Sequence, residues 1–166
     1  MHEKSIELLN KAVADELSAV HQYMYFHFHL DDQGYDLLST LFKRIAIQEM
    51  GHVEVLAERI LFLKGEVKMD VASDVDPIHD VISMLEKATQ MEESSARDYN
   101  LWANECAANA DSVTKKVFEQ LVADEEMHFD QYDTELDNVK KFGERYLALQ
   151  SIERSKSIAA GTVAAE

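Results

Sequence analysis

One cysteine, one proline and five glycines in 166 residues exclude several kinds of protein at once. Cys106 has no second thiol with which to form an internal disulfide, and its place among apolar residues suits packing rather than reactivity. So few prolines and glycines cannot punctuate a β-rich or multidomain chain, whereas the helix formers Leu, Ala, Glu, Lys and Met are plentiful. No continuous apolar run approaches the ~20 residues that cross a bilayer. Charged residues stand near the N-terminus where a signal peptide needs an apolar stretch, so a cytoplasmic location is expected. Basic residues are also scarce. The 16 Lys and Arg against 32 Asp and Glu give a net charge of −16, which discourages nucleic-acid binding and favours attraction of cations. The chain is long enough to bury a full core without disulfides, and it reads as all-α.

The few breakers divide it into four long helices and a short fifth. The first is expected over about residues 4–31, ending before Asp31-Asp32-Gln33-Gly34. Asp36 is the expected N-cap of the second, which runs to about Lys64, where Gly65 stops it. Residues 65–76 make one long connection. Asp76-Pro77 reads as an N-cap followed by proline at the first helical position, opening a third helix that ends near Asn109. Asp111 or Ser112 caps the fourth, which reaches about Phe142 before Gly143. A short helix over 144–153 closes a domain of residues 1–153, with 154–166 as a tail. Short links make two antiparallel hairpins, and the long connection can cross the bundle from end to end.

Within this scheme Glu-x-x-His occurs twice, as Glu49-Met50-Gly51-His52 and Glu125-Glu126-Met127-His128. Positions i and i+3 differ by about 300° of rotation, so each pair projects from one helix face. Helical periodicity places Glu49 and His52 with Ile45, Leu56 and Ile60, and Glu125 and His128 with Phe118, Leu121, Tyr132 and Leu136. Glu16 falls on the stripe of Leu9, Ala12, Ala19, Tyr23 and Leu30. Glu92 falls on that of Leu85, Ala88, Tyr99 and Cys106, whereas Glu93 is rotated away by about 100°. Four carboxylates and two imidazoles therefore point into one apolar interior, where each unpaired ion costs several kcal/mol. Cations resolve this conflict. Oxygen and imidazole donors without thiolate suit iron or manganese, and zinc can occupy such a set. The four-helix plan with two ExxH helices and one glutamate from each of the others is that of di-metal carboxylate bundles. His21, His27 and His29 are read as structural or surface residues, with His27 alone facing the core, and Trp102 and the remaining tyrosines as packing.

These residues resemble bacterioferritin, within the ferritin-like di-iron superfamily, over residues 3 to about 153. The resemblance is carried by Glu16-Leu17-Ser18-Ala19-Val20-His21-Gln22-Tyr23, by Glu49-Met50-Gly51-His52 followed by Glu58-Arg59-Ile60-Leu61, by Glu92, and by Asp124-Glu125-Glu126-Met127-His128. It implies a ferritin-like bundle with a ferroxidase centre inside each subunit. Glu16, Glu49, His52, Glu92, Glu125 and His128 match its ligand positions, Glu49 and Glu125 its bridging carboxylates, and Tyr23 a tyrosine close to the centre. The implied function is iron storage and detoxification. Two iron ions per subunit are oxidised by dioxygen or peroxide, and ferric mineral collects in a 24-subunit cage. A ferredoxin is the partner expected for reductive release.

The resemblance further implies a haem held between two subunits by a methionine from each, at the position of Met50. The helical wheel places Met50 about 130° from the inward direction of its helix. Ala46, Ile47, Ala57 and Leu61 form a second apolar strip on that side, as expected of a dimer face. Two thioether ligands saturate the haem iron and favour electron transfer. Two positions depart from the family pattern. Gln48 stands where close relatives often carry an acid near the route of iron to the centre, and Arg44 where some relatives use a histidine on the inner cage wall. Two other functions compete. A Dps-like mini-ferritin protecting DNA typically places its site between subunits and often has basic tails. A di-iron peroxidase resembling rubrerythrin normally carries a Cys-rich module that one cysteine cannot build.

Overall fold

The computed structural model describes residues 2–160. It contains five helices, α1 (Glu3–Asp32), α2 (Asp36–Phe62), α3 (Val81–Ala108), α4 (Ser112–Phe142) and α5 (Glu144–Ala159), with no strand among the described residues. The first four form a bundle of two hairpins, α1 with α2 and α3 with α4, and α5 packs against α4 and α2. No helix among the described residues is long and apolar enough to cross a membrane.

The segment from α2 to α3 is held against α1 by a ladder of polar residues four apart. Asn10 accepts from the Lys68 amide at 2.8 Å and donates to the Glu66 carbonyl at 3.0 Å. The Ala14 carbonyl accepts from Ala72, and Ser18 Oγ accepts from the amides of Ala72 and Ser73. Gln22 clamps Asp76 from both sides, accepting its N–H at 2.7 Å and donating to its carbonyl at 3.0 Å. A four-residue spacing keeps these groups on one helix face. The connection therefore runs alongside α1 for three turns with its buried polar groups paired.

This ladder shifts the start of α3 from its expected place. With the backbone of Asp76 committed to Gln22, Asp76 and Pro77 remain in the crossover. Asp80 is the N-cap instead, accepting from the Ser83 amide and hydroxyl, each at 2.8 Å. Smaller corrections apply elsewhere. Tyr35 rather than Asp36 is the N-cap of α2, and Asp36 is its first residue. At the other end α2 stops at Phe62, and the left-handed residue is Lys64 (φ 64°), not Gly65. Gly65 is required for closeness, because a Cβ there would lie 2.7 Å from Ile6 Cγ2. Asp111 caps α4 as expected.

The fifth helix is longer than the expected 144–153 and runs through the proposed domain boundary. Arg154 donates to the Asp31 carbonyl and pairs with Asp36 at 3.2 Å, and Ser151 reaches the Gly34 carbonyl, so the last turns of α5 lean on the α1–α2 turn. Of the expected tail, residues 161–166 lie outside the described residues.

The apolar interior is divided in two. One cluster contains Phe26, Leu30, Phe42 and Leu136; the other contains Leu8, Val13, Ile60 and Phe118. Between them lies a layer of ionisable side chains.

Candidate metal centre

Each of the four bundle helices contributes one glutamate to this layer, and α2 and α4 each add a histidine one turn later. Glu16, Glu49, Glu92, Glu125, His52 and His128 are all buried, none more than 9% exposed. Glu93 and Glu126, adjacent in sequence, point to solvent. The periodicity that separates Glu92 from Glu93 is thus visible in the burial.

The six side chains fall into two donor sets. One comprises Glu16, Glu49, His52 and Glu125, the other Glu49, Glu92, Glu125 and His128, and within each set one donor atom per residue lies within 4.8 Å of every other. Glu49 and Glu125 belong to both. His52 Nδ1 sits 2.8 Å from Glu49 Oε2, 3.3 Å from Glu125 Oε1 and 3.5 Å from Glu16 Oε1. His128 Nδ1 sits 3.0 Å from Glu49 Oε1 and 3.7 Å from Glu92 Oε2.

Closeness here does not mean satisfaction. Glu49 Oε2, His52 Nδ1, Glu92 Oε2 and Glu125 Oε1 are buried without an aligned hydrogen-bond partner, although they face one another. Orphaned polar atoms are rare in folded proteins, and a group of them converging on two points fits cations. Charge agrees: four carboxylates with two neutral imidazoles balance two divalent ions. Oxygen and nitrogen donors in this proportion fit iron or manganese.

Protons compete for the same atoms. Burial, with the charge of Glu49, pushes Glu16 up to about 8. Glu92 and Glu125 are also raised, mainly by burial and then by the neighbouring carboxylates. Burial acts upward on Glu49 too, but the close approach and charge of His128 and His52 outweigh it and bring it down to about 2. Against the downward effect of burial, Glu49 and Glu92 raise His128 to about 9, and Glu125, Glu16 and Glu49 raise His52 further.

Two tyrosines complete the centre. Tyr23, expected close to it, donates to Glu92 Oε1. Tyr99, read from sequence as packing, donates to Glu16 Oε1 at 2.7 Å. A signal for Tyr99 was available: it follows Glu92 by the same interval as Tyr23 follows Glu16. Asp124 was likewise without a role in the sequence. Its Oδ2 lies 3.4 Å from His52 Nε2, on the side of the ring facing away from the carboxylates. Trp102 packs on Tyr99 and Phe118. Half-buried His27 bonds Ser39, and Arg44 donates to Gln131.

The outer face of α2 differs in one residue from the expected strip. Ile47, Met50 and Leu61 are exposed, at 62%, 38% and 58%, and Ala57 is half-buried. Ala46, however, is 1% exposed and belongs to the chain's own core, because it lies within one turn of the inward-facing Phe42, Ile45 and Glu49.

Residues 6–149 match the family described as the ferritin-like domain. The chain is 38% identical to the bacterioferritin of Desulfovibrio desulfuricans over 145 residues, covering 87% of this chain and 81% of that one. It is 36% identical to that of Brucella melitensis over 141 residues, covering 85% and 88%. The chain belongs to the bacterioferritin family. A crystal structure of the Desulfovibrio desulfuricans bacterioferritin, described with its diiron site in a reduced and reoxidised state, superposes with a TM-score of 0.88 at 37% identity. The match covers 89% of this chain and 86% of that one, so the chain shares that protein's bundle with its short C-terminal helix.

Proposed function

We propose that this chain oxidises Fe(II) at the buried centre and stores the ferric product, with Glu16, Glu49, His52, Glu92, Glu125 and His128 as ligands. The observation that carries this reading is the pair of donor sets sharing Glu49 and Glu125 inside one bundle. Fe(II) is the substrate; each ion supplies one electron to dioxygen or peroxide. The residues do the rest. Glu49 and Glu125 hold the two positions together, and Glu16 and Glu92 close the outer ends, each steadied by a tyrosine hydroxyl. His52 and His128 bind as neutral imidazoles, so each must give up its extra proton as a cation arrives. The apolar clusters on either side keep bulk water away from the layer.

Met50 is the proposed haem ligand, shared with the same methionine of a second copy. Its exposed thioether, between exposed Ile47 and Leu61, suits a soft axial ligand on an apolar face awaiting a partner. A bound haem supplies one-electron transfer. Further parts of the reading are a cytoplasmic cage built from such dimers, mineral deposition inside it and a ferredoxin for release. Their support is the kinship with bacterioferritins.

Aerobic Fe(II) loading far beyond two ions per chain, followed by size exclusion, tests this function. Protein, ferric mineral and haem absorbance should leave the column together in one very large particle. Uptake that stops near two ions per chain in a small species would overturn storage.

A further inference from the structure

The two donor sets are related by a pseudo-two-fold exchange of α1 with α3 and of α2 with α4. It takes Glu16 to Glu92, Glu49 to Glu125 and His52 to His128. The tyrosines obey it, since Tyr99 bonds Glu16 as Tyr23 bonds Glu92. It fails behind the two imidazoles. Each histidine presents Nδ1 to the carboxylates, which turns Nε2 outward. For His52 an acid lies there: Asp124, the residue before Glu125, with Oδ2 at 3.4 Å from Nε2. The equivalent residue for His128 is the one before Glu49, and it is the neutral, exposed Gln48. His128 Nε2 is buried with no hydrogen-bond partner among the described residues.

We propose that Gln48 makes the two cation positions unequal, so that the position at His52 binds tightly and the position at His128 binds weakly and exchanges first. This inference rests on the di-metal reading above. A cation on Nδ1 obliges a neutral imidazole to carry its proton on Nε2. At His52 that proton faces the Asp124 carboxylate, which orients the ring and makes Nδ1 a better donor. At His128 it faces no acceptor, so binding there must tolerate a buried, unpaired N–H. Loss of such an outer partner lowers metal affinity by roughly 10- to 100-fold. Gln48 can offer only a neutral carbonyl oxygen, and it does not reach the ring.

The test uses the full chain stripped of metal and titrated with Co(II) without oxygen, read by calorimetry and by visible absorption of the bound ion. Wild type should bind two ions per chain in two steps about 10- to 100-fold apart. His128→Ala should remove the weak step alone. Gln48→Asp, at an exposed position where folding is not at risk, should bring the steps to within a few-fold. Asp124→Asn should weaken the tight step alone. Equal steps in wild type, a weak step lost in His52→Ala rather than His128→Ala, or a gap unchanged by Gln48→Asp would each overturn the proposal while leaving the di-metal centre intact. Failure of wild type to bind two ions at all would overturn the di-metal reading itself.

Discussion

Tyr99 and Glu16 meet across the α1–α3 interface, hydroxyl to carboxylate at 2.7 Å. Seven residues, close to two helical turns, separate Glu16 from Tyr23 and Glu92 from Tyr99, so within each helix both side chains face inward. The bonds are exchanged, each tyrosine serving the glutamate of the opposite helix. Each glutamate of the candidate site's outer ends is thereby positioned by a tyrosine hydroxyl from across the bundle.

Tyr99→Phe separates this positioning from packing, because the ring keeps its contacts with Trp102 and Phe118. Losing one hydrogen bond to a carboxylate should cost about 1–2 kcal/mol, or roughly tenfold in affinity at the position Glu16 serves. Co(II) titration beside thermal unfolding of the metal-free protein checks this. Unchanged affinity with lowered stability would reduce Tyr99 to a core residue.

Cation binding should release protons. Glu16, held at about 8, and His128, held at about 9, are both protonated at neutral pH before a cation arrives. Below those values each proton competes with the ion, so affinity should fall as pH drops from about 8 to 6, by up to about tenfold per pH unit for each proton displaced. Zn(II) calorimetry in buffers of different ionisation enthalpy counts the protons directly. Heats independent of buffer would contradict the cluster's raised proton affinity.

The proposed haem and iron sites should be separable. Met50 lies on the outer face of α2, whereas its neighbour Glu49 is fully buried. Met50→Leu should abolish the haem absorbance and leave the initial rate of Fe(II) oxidation within about twofold, since its side chain is exposed while both donor sets are buried. Glu125→Ala removes a carboxylate common to both sets. It should lower the oxidation rate by at least about 100-fold while haem still binds. Equal loss of both properties in each variant would defeat the separation.

The buried cluster of four glutamates and two histidines could be read from the sequence because it violates a rule: carboxylates and imidazoles on apolar stripes are costly unless something neutralises them. Tyr99 escaped the same reading because an aromatic on a core stripe breaks no rule, and only the repeated glutamate–tyrosine interval marks it. The start of α3 was hidden for a different reason. Asp76-Pro77 and Asp80 with Ser83 are both acceptable helix openings, and the choice falls to Gln22, 54 residues before Asp76. The length of α5 depends similarly on Arg154 meeting Asp31 and Asp36. Local pattern identified the helices, and long-range pairing decided where they begin and end.

Asp111 combines three contacts whose loss should be felt by the whole bundle. It caps α4 by accepting from the Thr114 amide at 3.1 Å, accepts from the Thr114 hydroxyl at 2.6 Å, and pairs with the largely buried Arg59 at 2.7 Å. Asp111→Ala should destabilise the metal-free protein by about 3 kcal/mol, since it removes a cap and leaves a buried guanidinium without its acid. The pH dependence has a definite sign. Burial acts to raise the Asp111 carboxyl, but the Thr114 hydroxyl and amide and the Arg59 charge outweigh it and hold the group at about 2. A carboxyl depressed in the folded state stabilises fully above its unfolded value of about 4, and that contribution fades as pH falls toward 2. Urea unfolding between pH 5 and 2.5 should therefore show a shallower loss of stability in Asp111→Ala than in wild type. Parallel curves would mean that Asp111 titrates alike in the folded and unfolded chains, and that its contacts with Arg59 and Thr114 are too weak to hold it ionised.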